Sequence, residues 1–197
     1  MSLMHVLGTT LDTIPAEVPY LHADPARARR FAARLTGDHL KIGIVWAGIA
    51  GHTNDRHRSM SLATLAPLLE VSGAHFVSLQ LAPRAAELRE SAFAEKVTDL
   101  APDLMDFADT AAGLSQLDLL ISVDTAVAHL AGALGLPAWV LLPFNADWRW
   151  LRDRDDSPWY PTLRLYRQDA SFAWAPVIER VRGDLLKHVG ERVFGRK

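Results

Sequence analysis

The chain contains no cysteine among its 197 residues, so disulfide bonds, thiolate catalysis and cysteine-bound zinc are excluded. It has no apolar run of the roughly 20 residues that a membrane-spanning helix needs, and its N-terminus lacks the basic-then-apolar pattern of a signal peptide. Charge of one sign is not in excess, because 21 basic residues stand against 23 acidic ones. A surface for nucleic acid or anionic membrane is not indicated, and we expect a soluble, cytoplasmic protein.

Two phosphate-binding fingerprints are missing as well. The glycines are not spaced as GxGxxG, and GxxxxGK[ST] does not occur, which disfavours a dinucleotide or P-loop site. What the chain has in quantity is apolar sequence, 49% of its residues, which is enough for a large core. Its length suits one α/β domain, or one domain with appendages.

The centre of the chain predicts a strand, a helix and a second strand in succession. The apolar run at 117–123 has the length and composition of a buried strand, and residues 126–134 are rich in strong helix formers. Gly135 and Pro137 then end the helix, and residues 138–142 form another buried strand. A unit of this kind favours two parallel strands with a right-handed crossover.

The same alternation continues on both sides of this unit. We predict further strands at 41–46, 75–79, 97–100 and 163–166, and further helices at 24–35, 61–70, 83–94, 104–115 and 174–189. The pattern predicts a doubly wound, Rossmann-like parallel sheet with helices on both faces. Residues 1–38 are expected to form an N-terminal arm and a linking helix with solvated arginines, and residues 39–197 the main domain.

The junction after the central strand is the first candidate site. Asp124 and Thr125 lie where a strand ends and a helix begins, so free backbone N–H groups and the helix dipole favour an anion there. His129 is expected to share a helical face with Thr125, next to Ser122, so that a hydroxyl, an imidazole and N–H groups converge on a phosphate. The alternative is that Asp124 and Thr125 only cap the helix and that His129 is a packed histidine.

Other strand ends bring further candidates to the same edge of the sheet. Ligands of such sheets bind beyond the carboxyl ends of the strands, and the loop 47–59 occupies that position after the first strand. The candidates outside the junction are Trp46, Asn54, Arg58, Gln80, Met105 and Asp106. Arg58 and Asn54 can donate hydrogen bonds to phosphate or sugar oxygens. The alternative for their loop is a solvated surface segment.

Tryptophan is concentrated in one loop. Residues 143–161 contain three of the chain's six tryptophans, Trp148, Trp150 and Trp159, which suits a hydrophobic wall, a sugar platform or a contact with another domain. The tripeptide DRD at 153–155 formally matches a D-x-D metal motif. Its neighbouring arginines oppose a cation, so we predict an ion-paired turn and no metal site.

The string SVDTAVAHLAGALGLP at 122–137 resembles the corresponding motif of heptosyltransferase-like glycosyltransferases, family 9, of the GT-B type. The wider resemblance covers roughly residues 40–170, from GIVWAG through DRHRSMSL and SLQ to LPFNADWRWL and DSPWYPTLRLYRQ. That stretch is similar to the C-terminal region of bacterial tetratricopeptide-repeat proteins that carry such a domain. The fold implied is the C-terminal, nucleotide-sugar-binding half of a GT-B enzyme.

The resemblance also implies roles for individual residues. Thr125 and His129 would hold the donor diphosphate, and Arg58 would neutralise it as it leaves. The nucleotide base would lie near Met105 and Asp106. Asp124 would orient N–H groups, a basic side chain or a sugar hydroxyl, and Ala126 departs from the glycine that heptosyltransferases commonly have. A nucleotide sugar is the implied co-substrate, with no cofactor and no metal.

No catalytic base is assigned, because GT-B enzymes work between two domains and the base usually comes from the other one. Only some 40 residues precede the match. We therefore expect the donor-binding domain of a glycosyltransferase, either a fragment of a larger enzyme or one that pairs with an acceptor domain or tetratricopeptide-repeat region elsewhere. The alternatives are a non-catalytic nucleotide- or protein-binding module and a sugar-nucleotide epimerase of the same architecture.

Overall fold

The computed structural model describes residues 3–49, 51, 53–81 and 83–194. Its centre is a sheet of six parallel strands in the order β3-β2-β1-β4-β5-β6. The strands are β1 (Leu40–Val45), β2 (Ala74–Ser78), β3 (Thr98–Asp99), β4 (Leu119–Val123), β5 (Ala138–Leu142) and β6 (Leu163–Arg167). The predicted doubly wound sheet is confirmed.

Eight α-helices occur in the described part of the chain. They are α1 (Leu3–Val6), α2 (Pro25–Ala32), α3 (Asp55–Arg58), α4 (Leu62–Leu69), α5 (Ala86–Arg89), α6 (Phe107–Leu114), α7 (Ala126–Ala133) and α8 (Ala175–Phe194). None of these helices is long and apolar enough to cross a bilayer.

The core lies in two layers, one on each face of the sheet. Side chains of a strand point alternately to opposite faces, so Ile42, Ile44 and Trp46 pack on the α4 and α8 side. Val45 and Leu120 pack on the other side, with α2, α6 and α7. This alternation decides which strand-end residues can reach a ligand.

Successive strands of the chain are added outward from β1 on one side of the sheet and outward from β4 on the other. β1 connects onward to β2 on one side, whereas β4 connects to β5 on the other, and the two strands pair with Val45 opposite Ser122. The chain segments after β1 and β4 therefore diverge to opposite faces and leave a crevice between them. Crevices at such switch points are where open α/β sheets bind their ligands.

Two predicted features of the helices are wrong. The helix predicted at 83–94 shrinks to α5, and the Ser91 hydroxyl donates to the Leu88 carbonyl just beyond it, a local bond that competes with continued helix. The arginines of α2 are not simply solvated, because Arg27 and Arg30 form ion pairs with Asp109 on α6. The predicted domain boundary at residue 38 stays a prediction.

Candidate functional site

A cavity of about 780 Å³ opens at the carboxyl ends of β1, β2 and β4, within the size range of small-molecule sites. Most of its wall is apolar. Its lining residues are Val45, Ala47, Gly48, Ile49, Arg58, Leu79, Gln80, Leu81, Leu104, Met105, Asp106, Phe107, Thr110, Thr125, Ala126 and Val127. Of the predicted candidates, the cavity brings together Arg58, Gln80, Met105, Asp106 and Thr125.

The N-terminus of α7 forms one wall of this cavity. Thr125 is the N-cap residue, but its side chain makes no capping bond to the helix among the described residues. Its Oγ1 lies 3.1 Å from Ser122 Oγ instead. The N–H groups of Ala126 and Val127 have no acceptor within the helix, and the first turn contains no acidic side chain. These uncapped N–H groups and the helix dipole favour an anion.

Arg58 lies next to this helix end, as predicted from its place in the sequence. Its side chain is only 13% exposed, and its Nη1 donates to the carbonyl oxygen of Asp124 at 2.9 Å. Gly48 makes this position accessible, since a Cβ at that residue would collide with Arg58 Nη2. Sequence reasoning missed Gly48, although a glycine just beyond the end of a buried strand is a signal of close approach.

Gln80 lines the crevice and holds the backbone of Trp46 and Ala47. The buried Gln80 accepts hydrogen bonds on Oε1 from the N–H groups of Trp46 and Ala47, at 3.0 and 2.9 Å, and its Nε2 donates to the Ala47 carbonyl. Its amide is therefore occupied by the backbone after β1. The prediction that Trp46 contacts the donor is wrong for its side chain, because strand alternation places the indole wholly in the α4 and α8 core.

The opposite wall of the cavity begins at Met105, whose side chain is 81% exposed. Asp106 follows as the N-cap of α6, accepting from Asp109 N–H at 2.8 Å and from Arg27 at 2.7 Å. The backbone bond from Asp109, and after it the Arg27 guanidinium, lower the pKa of Asp106, so this carboxylate is ionised and paired. The buried Asp109 also accepts from Met105 N–H, a support that sequence reasoning missed.

His129 and Asn54 lie outside the cavity wall. The His129 ring stacks on Trp150 at a centroid distance of 5.0 Å, and its Nδ1 is 3.3 Å from the Tyr160 hydroxyl. The predicted convergence of Thr125 and His129 is wrong, because the His129 ring packs against Trp150 and Tyr160 while Thr125 lines the cavity. The alternative of a packed histidine describes the structure. Asn54 contacts His57, and its Nδ2 donates weakly to the Asn145 carbonyl.

Asp124 is the part of the junction that faces His129. Its Oδ1 lies 4.0 Å from His129 Nε2, while its carbonyl oxygen holds Arg58. Ser122 is wholly buried, and its hydroxyl donates to the Val123 carbonyl at 2.7 Å. Both residues support the helix start, whereas the cavity itself is lined by Thr125 and the first two residues of α7.

The packing of histidines predicts how stability depends on pH. Burial lowers the pKa of His129, with the Asp124 carboxylate opposing the effect, and burial also lowers the pKa of His75. The unfolded chain therefore binds more protons, and we expect the free energy of unfolding to fall as the pH drops through about 6.5. Urea unfolding at pH 7.5 and 5.5 measures this. His129→Phe should reduce the difference between the two pH values, and an unchanged difference would contradict the prediction.

The three tryptophans of the loop 143–161 have different environments. Trp150 is wholly buried beside His129, whereas Trp148 is 56% exposed and meets Trp159 edge to face. Trp159 is partly buried, and its Nε1 donates to the Arg149 carbonyl. Of the three tryptophans only Trp148 is largely exposed, so Trp150 cannot take part in a contact with another domain, and such a contact through Trp148 and Trp159 stays a prediction.

In the part of the chain that the structure describes, no three histidine, aspartate or glutamate side chains are grouped so that they could hold a metal ion. The Asp residues of the DRD tripeptide flank Arg154, which forms a two-bond pair with Asp156. Arg58 is the basic side chain among the described residues that line the cavity.

Comparison with known proteins adds a family resemblance for part of the chain. Residues 62–141 match the sequence model of glycosyltransferase family 9 (heptosyltransferase). Protein FlbA of Caulobacter vibrioides is 29% identical over 185 residues, which are 89% of this chain and 30% of that protein. The chain thus spans less than a third of this curated relative. The predicted tetratricopeptide-repeat context stays a prediction.

Two solved structures share the fold at 16% identity. The ADP-heptose lipopolysaccharide heptosyltransferase II of E. coli superposes with a TM-score of 0.64, over 92% of this chain and 57% of that one. A glycosyltransferase of family 9 from Veillonella parvula gives a TM-score of 0.57, over 90% of this chain and 50% of that one. Together with the sequence match at 62–141, they confirm the predicted resemblance. Residues 62–141 of the chain are thus similar to glycosyltransferase family 9 (heptosyltransferase), and the chain as a whole shares the fold of these two solved structures.

Proposed function

We propose that the cavity binds the diphosphate and nucleoside of a nucleotide-sugar donor, and that this domain is the donor-binding domain of a GT-B glycosyltransferase. The observation that carries the proposal is the meeting of Arg58 with the uncapped N-terminus of α7 at the switch point of the sheet. Helix N-termini and arginine are both groups with which proteins bind phosphate. The family match supports the same ligand class.

The rest of the cavity suits a nucleoside. Leu79, Leu104, Met105 and Phe107 present apolar surface next to the anion wall. Such surface can pack on a base and ribose while the phosphates lie against Arg58 and α7. Asp106, the one carboxylate among the described residues of the wall, is already paired with Arg27, so it does not repel the diphosphate as an unpaired charge would.

In the proposed reaction an acceptor hydroxyl attacks the anomeric carbon of the sugar. The bond between that carbon and the diphosphate oxygen breaks, and the diphosphate departs with the bonding electron pair. Arg58 and the N–H groups of Ala126 and Val127 stabilise the growing negative charge on it, an electrostatic role. The hydroxyl proton goes to a base outside this domain. We propose no metal, because Arg58 supplies the cation.

Calorimetric titration with UDP, ADP, GDP and dTDP, with and without Mg²⁺, tests donor binding. We expect one nucleotide to be preferred and Mg²⁺ to be unnecessary. Ala126→Pro deletes one N–H donor at a helix position that tolerates proline, and should weaken the binding about tenfold. Ala126→Gly keeps the N–H group and is the matched control. A folded protein that binds none of the four nucleotides would overturn the proposal.

A second candidate is a binding module that does not transfer sugar. Exposed apolar side chains at the cavity mouth favour it: Ile49, Leu81, Met105 and Phe107. Such a patch is typical of a surface that another domain or chain covers, such as an acceptor domain or a repeat region. Transfer of labelled sugar from the preferred donor by the full-length protein would support the enzyme. Binding without any turnover would support the module.

A further inference from the structure

A chain of contacts through two residues that do not line the cavity, Asp55 and Ser59, holds Arg58. The Gly48 N–H donates to Ser59 Oγ at 3.0 Å, and the Ser59 hydroxyl donates to Asp55 Oδ1 at 2.7 Å. The same carboxylate oxygen lies 3.5 Å from Arg58 Nε, while Arg58 Nη1 reaches Asp124. These contacts connect the loop after β1 with the junction after β4.

The arrangement leaves the guanidinium little freedom. The side chains of Asp55 and Arg58 are 16% and 13% exposed, and Arg58 Nε is buried without a hydrogen-bond partner among the described residues. The backbone of Gly48 closes the other side. A guanidinium confined in this way loses little rotamer freedom when it binds an anion, which favours affinity.

We propose that Asp55 is a positioning residue of the diphosphate site, which acts through Arg58 and is itself anchored by Ser59. This inference rests on the proposed function. Arg58 lines the cavity, whereas Asp55 and Ser59 do not. Asp55 therefore contributes by holding the guanidinium in the orientation that connects the loop after β1 with the junction after β4.

Positioning and simple charge predict opposite results for Asp55→Asn. Removing a carboxylate beside an anion site makes the site more positive, which by charge alone strengthens anion binding. Releasing Arg58 from its place weakens binding, because the anion must then order the side chain. We expect the second effect to dominate, with an affinity for the preferred nucleoside diphosphate that falls by roughly three- to tenfold.

A double-mutant cycle tests this with calorimetry on UDP, ADP, GDP and dTDP. Asp55→Asn should weaken the binding in the wild-type background and should leave it unchanged or stronger in Arg58→Met. Glu179→Gln, which removes an exposed carboxylate on α8, is the charge-matched control. Unchanged or tighter binding by Asp55→Asn, or an equal loss in both backgrounds, would overturn the inference.

A second measurement needs no nucleotide. Solvent exchange of the Arg58 Nε–H, followed by ¹⁵N NMR, should be slow in the wild type and faster in Asp55→Asn. If exchange responds in this way and no nucleotide binds the wild type, the proposed function fails while the restraint of Arg58 by Asp55 stands. If exchange does not change, the positioning inference fails whatever the calorimetry gives.

Discussion

Arg58→Met is expected to weaken nucleoside diphosphate binding by about 10- to 100-fold. Hydrogen bonds to charged groups contribute roughly 1.5–3 kcal/mol, and each 1.4 kcal/mol is a factor of ten in affinity. Methionine fills much of the space of the arginine stem, so the variant removes charge and donors without leaving a large void. The donation to the Asp124 carbonyl is lost as well, which loosens the start of α7.

The chain offers a matched control two residues away. Arg56 lies on the same short helix α3 and is exposed, outside the cavity wall. Arg56→Met removes the same charge from the same element and should change the dissociation constant little, because exposed charges are screened by solvent and salt. Calorimetry compares the two variants with the wild type. Equal losses in both would mean that general positive charge, not Arg58 itself, carries the binding.

Trp150→Ala is expected to lower the free energy of unfolding by about 3–5 kcal/mol, the usual cost of truncating a buried tryptophan. The indole has no solvent exposure and supports the His129 ring on α7. The backbone carbonyl of Trp150 also accepts from Arg167 of β6, so the residue joins the loop to the sheet. Its removal leaves a void between the loop after β5 and the helix that begins at the cavity.

Trp150→Phe separates the packing from the indole N–H. The Nε1 of Trp150 is buried and lacks a hydrogen-bond partner among the described residues, so phenylalanine loses volume but no hydrogen bond. We expect its loss of stability to be less than half that of Trp150→Ala. Urea unfolding followed by circular dichroism measures both. A loss below about 1 kcal/mol for Trp150→Ala would contradict the packing seen here.

Local sequence patterns predicted strands and helices well where a segment is uniformly apolar or where capping residues mark the end of a helix. The strand at 138–142 has the predicted bounds, and Asp24 caps α2 with Pro25 at the first position, as predicted. Buried parallel strands and capped helices are specified within a few neighbouring residues, so sequence spacing is sufficient. The helix predicted at 83–94 failed because its short-range signals competed with local turn bonds.

The cavity was predictable as a location, but only in part as a set of residues. Parallel strands bring their carboxyl ends to one edge, and this rule alone placed Arg58, Gln80, Met105, Asp106 and Thr125 together. It does not say which way a side chain turns. Gln80 faces the backbone after β1, a contact between residues more than 30 positions apart.

The sequence by itself determined the αβ order, the parallel sheet and the family resemblance, because each depends on patterns within short stretches. Only the tertiary structure decided the side of the sheet that each strand-end residue faces. The Trp46 side chain is buried in the core, and the His129 ring packs on Trp150 instead of lining the cavity. Arg58 met Asp124 across 66 positions of sequence. Such pairings depend on packing between distant segments, for which spacing along a single chain contains no signal.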